Sequence, residues 1–347
     1  MVDDARAASG DLDTVGVLGA GLIGGSITRA LLELGVPVEV VDPDPAAVAR
    51  AVEAGARGRT LSELAGTVDV AFLCPPPSLV ATTWREWLEA SSGRGPDRRR
   101  SVVLDVASVK RPVLDQLAAD GTPSASPSTV LVLSHPMAGR EQAGWDASDP
   151  ALFRGASWIL LPPAELTGEE LLRCIRSVEA LGATVCFMDP TFHDRFAAVT
   201  SHIAHVVAFT FQALVDEVDP RGWRRFSGNS LRDLLRVAGA DHDLWTEILE
   251  GNEAELGPLL ADLASRIDGF DASRDIPAEP PQDPRPAATG PDGQPRELIL
   301  PWGDPLGAQR AALLATGEAG LELTDWARRP ESGELRLTFG APVASSP

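Results

Sequence analysis

The stretch Val15-Gly16-Val17-Leu18-Gly19-Ala20-Gly21-Leu22-Ile23-Gly24-Gly25-Ser26 constrains this chain more than any other. A short β-branched run leads into Gly-x-Gly-x-x-Gly, and apolar residues at helical spacing (Ile27, Ala30, Leu31, Leu34) follow as far as Gly35. Strand, tight turn and helix in that order are the context in which this glycine spacing cradles a dinucleotide. Gly19 permits the turn, Gly21 lets the backbone approach a pyrophosphate, and Gly24 lets helix and strand pack closely. With Leu22 and Ile23 the turn opens a helix whose free N–H groups and positive dipole end favour an anion. A second strand, Val38–Val41, ends in Asp42, about twenty residues past the turn. A carboxylate there accepts from the adenosine ribose hydroxyls and repels a 2′-phosphate, so NAD is expected over NADP.

The formal charge of −20 makes nucleic acid or an anionic membrane an unfavourable partner. It also requires positive charge to be gathered locally, because a dinucleotide is itself an anion. One lysine, Lys110, stands among 29 arginines. No apolar run in the sequence approaches the ~20 residues of a membrane span, and the acidic N-terminus lacks the apolar core of an export signal. The three cysteines, Cys74, Cys174 and Cys186, form no spaced framework, and their odd number fits buried, reduced thiols in a cytoplasm.

At 347 residues the chain is long enough for more than one core. Residues 1–13 read as a tail and 14–189 as an α/β Rossmann-like domain, in which apolar strand-like runs alternate with helical patterns around a parallel sheet. Its strands are Val15–Leu18, Val38–Val41, Val68–Leu73, Val102–Leu104, Val130–Leu133, Trp158–Leu161 and Thr184–Met188, with helices over Asp44–Ala54, Ser78–Ala90 and Gly168–Leu181. Ser91–Arg100, rich in Gly, Pro and Arg, reads as a surface loop. Asp189-Pro190 has the form of an N-cap followed by proline at the first helical position. It opens an all-helical domain over 190–270: a long helix to about Glu217, then Ser230–Ala238 and Asp243–Leu263. Apolar faces there exceed what one monomer covers, so a homodimer through this domain is expected. Residues 271–294 form a Pro- and Gly-dense linker. The segment 295–341 reads as strand, helix, strand, strand, a small α+β module like part of an ACT ligand-sensing domain or a simple cap.

Chemistry-bearing residues cluster just past the strands, where open α/β sheets bind ligands. His135, in Ser134-His135-Pro136-Met137-Ala138-Gly139-Arg140-Glu141, is placed to take a proton from an alcohol beside a nicotinamide. Ser108 and Lys110 follow another strand in Leu104-Asp105-Val106-Ala107-Ser108-Val109-Lys110. On the long helix, Ser201, His202 and His205 stand together, the two histidines sharing a face with Ala198 and Phe209. No carboxylate or cysteine cluster accompanies them at ligand spacing, so no metal is expected. Asp233 is suitably spaced to orient a neighbouring arginine, such as Arg236, for a bidentate carboxylate contact.

The segments "GLIGGS", "VLDVASVK", "HPMAGRE", "FMDPTFHD", "SHIAH" and "RDLLRVAGADHDLW" occur in the order found in the prephenate/arogenate dehydrogenases of tyrosine biosynthesis, and over roughly residues 14–265 the chain resembles that family. The resemblance implies a cytoplasmic enzyme with a Rossmann-like domain joined to a helical dimerisation domain. It implies His135 as the catalytic histidine and Ser108 as the serine touching the same ring hydroxyl, with Arg236 on a substrate carboxylate. Ser201, His202 and His205 would line the substrate pocket, with Arg140, Glu141, Asn229, Asp233, Trp245 and Lys110 nearby. Cys74 and Pro75, past the strand Val68–Leu73, and Ser108 would lie along the cofactor. The implied reaction is NAD-dependent oxidative decarboxylation of prephenate to 4-hydroxyphenylpyruvate. Arogenate and 4-amino-4-deoxyprephenate remain alternative substrates, and Asn229 and Arg140 depart from common family residues. A β-hydroxyacid dehydrogenase would need a lysine on the helical domain, and this chain has none there. A non-catalytic NAD sensor would not need Ser108, His135 and Arg236 together.

Overall fold

The computed structural model describes residues 12–95, 98–140, 142–218, 222–277, 296–307, 309–319, 321–329 and 333–340. Valine-rich β1 (Val15–Leu18) is buried along its whole length and lies between β2 (Val38–Val41) and β4 (Val70–Leu73), parallel to both. This sandwiching marks the switch point of a doubly wound sheet. The full order is β3-β2-β1-β4-β5-β6-β7-β8, with β3 (Arg57–Gly58), β5 (Ser101–Asp105), β6 (Thr129–Pro136), β7 (Ser157–Leu161) and β8 (Thr184–Phe187). Helices α1 (Leu22–Glu33), α2 (Pro45–Glu53), α3 (Leu61–Thr67), α4 (Val80–Ser91), α5 (Arg111–Ala119) and α6 (Gly168–Ala180) cover it.

The sheet is not wholly parallel. β7 runs antiparallel to β6, pairing His135 with Ile159, and β8 follows β7 in parallel. Between β6 and β7 the described residues make only a short 3₁₀ turn, Trp145–Ala147, and a link without a crossover helix suits an antiparallel neighbour. Three further departures have local causes. The strand β3 and helices α3 and α5 were too short or too polar to stand out by periodicity. The Ser91–Arg100 loop is anchored: Arg94 is buried, donating to the carbonyls of Ala65, Val68 and Arg99 and pairing with Asp69. The stretch Asp243–Leu263, part of an expected two or three helices, is two, α9 (His242–Gly251) and α10 (Glu253–Asp268), parted at Asn252.

Asp189 caps α7 (Pro190–Val218) by accepting from the Phe192 N–H at 2.7 Å, with Pro190 at the first helical position. The helix then runs as Pro190–Val218, interrupted by one π turn at Ala198–His202. By length and composition α7 could cross a membrane, with a mean hydropathy of 1.4 in its most apolar window, contrary to the expectation that no segment approaches a span. Helix α8 (Asn229–Val237) packs on α7 and has no buried residue.

The C-terminal segment has the expected order: β9 (Arg296–Pro301), α11 (Gln309–Glu318), β10 (Glu322–Arg329) and β11 (Glu334–Gly340), in an antiparallel sheet β10-β11-β9. It is docked, not tethered. Leu313, Leu335, Leu337 and Phe339 join the core of the nucleotide domain, and Phe339 meets Phe187 of β8 with ring centroids 6.0 Å apart. A Cβ on Gly317 would stand 1.7 Å from the Phe187 carbonyl oxygen, so α11 lies directly on the edge strand and shields it. Residues 1–11 of the tail and 278–295 of the linker lie outside the described residues.

Candidate active site

The carboxyl ends of five neighbouring strands bring the expected residues to one edge. Gly19 follows β1, Asp42 follows β2, Cys74 and Pro75 follow β4, Ser108 lies just past β5, and His135 stands near the end of β6. Gly19 has φ +96°, and a Cβ there would come within 2.7 Å of the Cys74 carbonyl oxygen. A Cβ on Gly24 would overlap the Gly19 carbonyl at 1.8 Å, whereas one on Gly21 would meet nothing within 4 Å. The turn is therefore closed behind and open in front. Gly21 opens α1 without a side-chain cap, which leaves the amide donors of the first turn for a ligand. Asp42 accepts the Ala20 N–H on Oδ2 at 2.6 Å and the Asp44 N–H on Oδ1 at 2.8 Å, fixing its carboxylate beside this turn. These features fit NAD: the glycine turn and α1 would hold the pyrophosphate and Asp42 the ribose.

Past the ends of β5 and β6 lies a buried polar cluster. His135 Nδ1 is 3.0 Å from His193 Nε2, and His193 Nδ1 is 2.8 Å from Asp194 Oδ1. Asp194 also accepts the backbone N–H groups of Lys110 and Arg111 at 2.9 and 2.8 Å, tying α7 to the start of α5. Asn252, at the break between α9 and α10, donates to the Asp194 carbonyl at 2.7 Å and stands 3.0 Å from His202 Nδ1. His205 Nδ1 lies 3.0 Å from the Ser201 carbonyl, and its ring stacks on Trp245 at 3.4 Å between centroids. His202 meets the same Trp245 edge-on at 6.0 Å. The π turn changes the phase of α7 at His202, a device common at functional sites.

Lys110, expected among the substrate-binding residues, is fully buried, and its ammonium donates to Asp105 Oδ2 at 2.7 Å and the Ser134 carbonyl at 2.6 Å. Asp105 in turn accepts the Ser134 N–H at 2.7 Å, so this ion pair stitches the ends of β5 and β6 under His135. Arg140 pairs with Asp149, whose backbone N–H reaches Ser26 Oγ of α1 at 3.0 Å, which places Arg140 on the dinucleotide side. Asn229, Asp233 and Arg236 lie exposed on α8, and Glu141 falls outside the described residues. Ser108 and Ser201 are half-buried. His193, Asp194 and Asn252 carried no assigned role in the sequence reading, although His193-Asp194 one turn into a capped helix was visible there.

Burial pushes the His135 pKa well below the ordinary histidine value, helped by His193, Lys110 and His202. Burial also lowers His193 against the pull of Asp194, lowers His205, and brings His202 to about 4. For Asp194 burial acts upward, but the hydrogen bond and charge of His193 and the two backbone N–H donors outweigh it, and the carboxyl stays below its usual value. The rings are thus neutral and Asp194 ionised near neutrality. In the unfolded chain these histidines protonate near ~6.5. Below that pH the unfolded state binds protons that the folded state refuses, so stability present above ~6.5 is lost as pH falls. The melting temperature should therefore fall between pH 7 and 5, before carboxylates titrate. A flat profile would mean that water reaches the rings.

Known proteins resemble this arrangement along most of the chain. The family pattern for the prephenate dehydrogenase nucleotide-binding domain matches residues 27–187, and that for the prephenate dehydrogenase dimerization domain matches 189–272. "Probable prephenate dehydrogenase NovF" of Streptomyces niveus is 32% identical over 262 residues, 74% of this chain and 68% of that protein. The cyclohexadienyl dehydrogenase of Zymomonas mobilis is 28% identical over 255 residues, covering 71% of this chain and 83% of the relative. Among solved structures, the Aquifex aeolicus prephenate dehydrogenase in complex with hydroxyphenyl propionate and NAD⁺ aligns with a TM-score of 0.61 at 25% identity, covering 75% of this chain and 89% of that one. The Synechocystis arogenate dehydrogenase aligns with a TM-score of 0.58 at 29% identity, over 74% and 90%. With its glycine cradle, Asp42 and buried neutral His135 at one sheet edge, the chain belongs to the prephenate dehydrogenase family of NAD-dependent oxidoreductases.

Proposed function

We propose that the chain converts prephenate to 4-hydroxyphenylpyruvate and CO₂ with NAD⁺, as a cytoplasmic homodimer. The reading rests above all on His135: a neutral, buried ring near the carboxyl end of β6, on the same edge of the sheet as the glycine turn, with its Nδ1 engaged by His193. NAD⁺, when bound, accepts the hydride that leaves C4 of the substrate ring. His135 takes the hydroxyl proton from the oxygen on that carbon, Ser108 positions the oxygen, and Arg236 holds a carboxylate. CO₂ departs from C1 as the ring becomes aromatic, so the protein's work is chiefly positioning and charge placement. The neutral state of His135 keeps the base competent on the acid side of the ordinary histidine pKa.

Dimerisation is supported by the exposed apolar residues Val199, Leu214, Val218, Phe226 and Ile267 in the helical domain, and by the match to the family's dimerization domain. A second copy would cover this apolar surface, including the stripe along α7. Three free cysteines fit a reducing compartment.

The test is NADH formation from prephenate, arogenate and 4-amino-4-deoxyprephenate, each with NAD⁺ and NADP⁺. Turnover of prephenate with NAD⁺ is the expected result, with NADP⁺ disfavoured by Asp42. Preference for an amino substrate would keep the chemistry and overturn the substrate. NAD⁺ binding without turnover of any of the three would overturn the enzyme reading.

A further inference from the structure

Three polar contacts, read with the proton capacity of each group, determine which nitrogen of His135 carries its hydrogen. Asp194 receives N–H bonds from Lys110 on Oδ1 and from Arg111 on Oδ2, as an ionised carboxylate does. It has no proton to give, so His193, 2.8 Å away, must place its own proton on Nδ1. His193 Nε2 is then a lone pair, and His135 Nδ1, 3.0 Å from it, must be the N–H partner. The remaining lone pair of His135 lies on Nε2. All three side chains are buried, and the two contacts between them are direct. The opposite tautomer of His135 would set two lone pairs against each other at 3.0 Å.

We infer that His193 and Asp194 are positioning residues of this site, holding His135 in the tautomer whose Nε2 can accept a proton and stabilising the imidazolium that results. The inference rests on the proposed reaction only for the identity of the proton donor. In the step itself the substrate O–H bond breaks and an Nε2–H bond forms on His135. The positive charge is shared through the Nδ1–H bond with His193, and the Asp194 carboxylate faces it from behind. No further oxidant or acid is needed.

The experiment compares Asp194→Asn, His193→Leu and His193→Gln in the full chain. An Asn amide can donate to His193 Nδ1, which reverses the proton order and leaves His135 Nε2 protonated. A Leu removes the acceptor altogether. The Gln Oε1 can reach about the place of Nε2 and still accept from His135. Asp194→Asn and His193→Leu should each lower kcat by ~10² or more, with KM and NAD⁺ affinity changed by less than about 3-fold. His193→Gln should stay within about 10-fold of the parent. Histidine ¹⁵N spectra supply a readout independent of any substrate: His135 should show a protonated Nδ1 and bare Nε2 in the parent, and the reverse in Asp194→Asn. A parent His135 protonated on Nε2, or a His193→Leu variant keeping kcat within about 3-fold, would overturn the inference. A purely structural role would lower Gln and Leu variants alike, with their melting temperatures, and would also overturn it. Should His193→Leu fail to fold, the parent and Asp194→Asn spectra decide the matter, and they do so even where prephenate proves not to be the substrate.

Discussion

His135→Asn lowers kcat by ~10²–10⁴ while NAD⁺ binds as in the parent protein. The asparagine amide falls near the place of Nδ1, so it still offers an N–H to His193 Nε2, 3.0 Å away in the parent. The buried cluster thus keeps its partner and its packing. What disappears is the lone pair on the outer side, and with it the group that takes the hydroxyl proton as hydride leaves the same carbon. The glycine turn, the open first turn of α1 and Asp42 are untouched, because they lie at the ends of β1 and β2, across the switch point. Titration of NAD⁺ against Asn and parent proteins, alongside steady-state rates with prephenate, separates the two properties. Near-parent turnover in the Asn variant would remove His135 from the chemistry. A joint loss of turnover and NAD⁺ affinity would instead mean that the ring supports the cradle.

The sequence displayed the parts of this site whose signal is local. Gly19, Gly21 and Gly24 are legible because a close backbone approach admits no other residue, as the contacts of a Cβ at Gly19 and Gly24 demonstrate. Asp189 and Pro190 at the start of α7, and the strand–helix–strand–strand order of the C-terminal segment, are readable for the same reason: capping and periodicity act within a few residues. Long-range relations were not. Asp105, Lys110 and Ser134 form one buried unit across two strands, and nothing in the spacing of Lys110 distinguishes a strand-to-strand ion pair from a substrate contact. The reversed β7 depended on the route of a loop, and the π turn at Ala198–His202 on how α7 meets Trp245 and Asn252. Asn252 looked like an ordinary helix residue, yet its amide joins α10 to both Asp194 and His202. The docking of the C-terminal segment on β8 likewise follows from which face of α11 carries Leu313, Leu314 and Gly317, a match with Phe187 that only the assembled sheet creates.

Arg236→Leu raises the KM for prephenate by ~30-fold or more and changes kcat far less. Arg236 lies in the last turn of α8, a helix with no buried residue and with Leu231, Leu234 and Leu235 only half covered. In a chain of net charge −20 a dianionic substrate needs a local cation, and a guanidinium offers a fork that matches a carboxylate. Truncating one partner of such a charged pair costs ~2–5 kcal/mol, which corresponds to at least the stated change in affinity. The loss falls on KM because a carboxylate held equally in ground and transition states contributes uniform binding. Arg236→Lys should recover only part of it, since an ammonium gives a point charge in place of two parallel N–H donors. Steady-state kinetics at saturating NAD⁺ with the parent, Leu and Lys proteins makes the comparison. An unchanged KM would move the carboxylate contact to another cation, Arg140, which pairs with Asp149 beside α1. A fall in kcat as large as the rise in KM would mean that Arg236 acts on the reacting ring as well as on the carboxylate, and the site would then have to be drawn with α8 closed over His135.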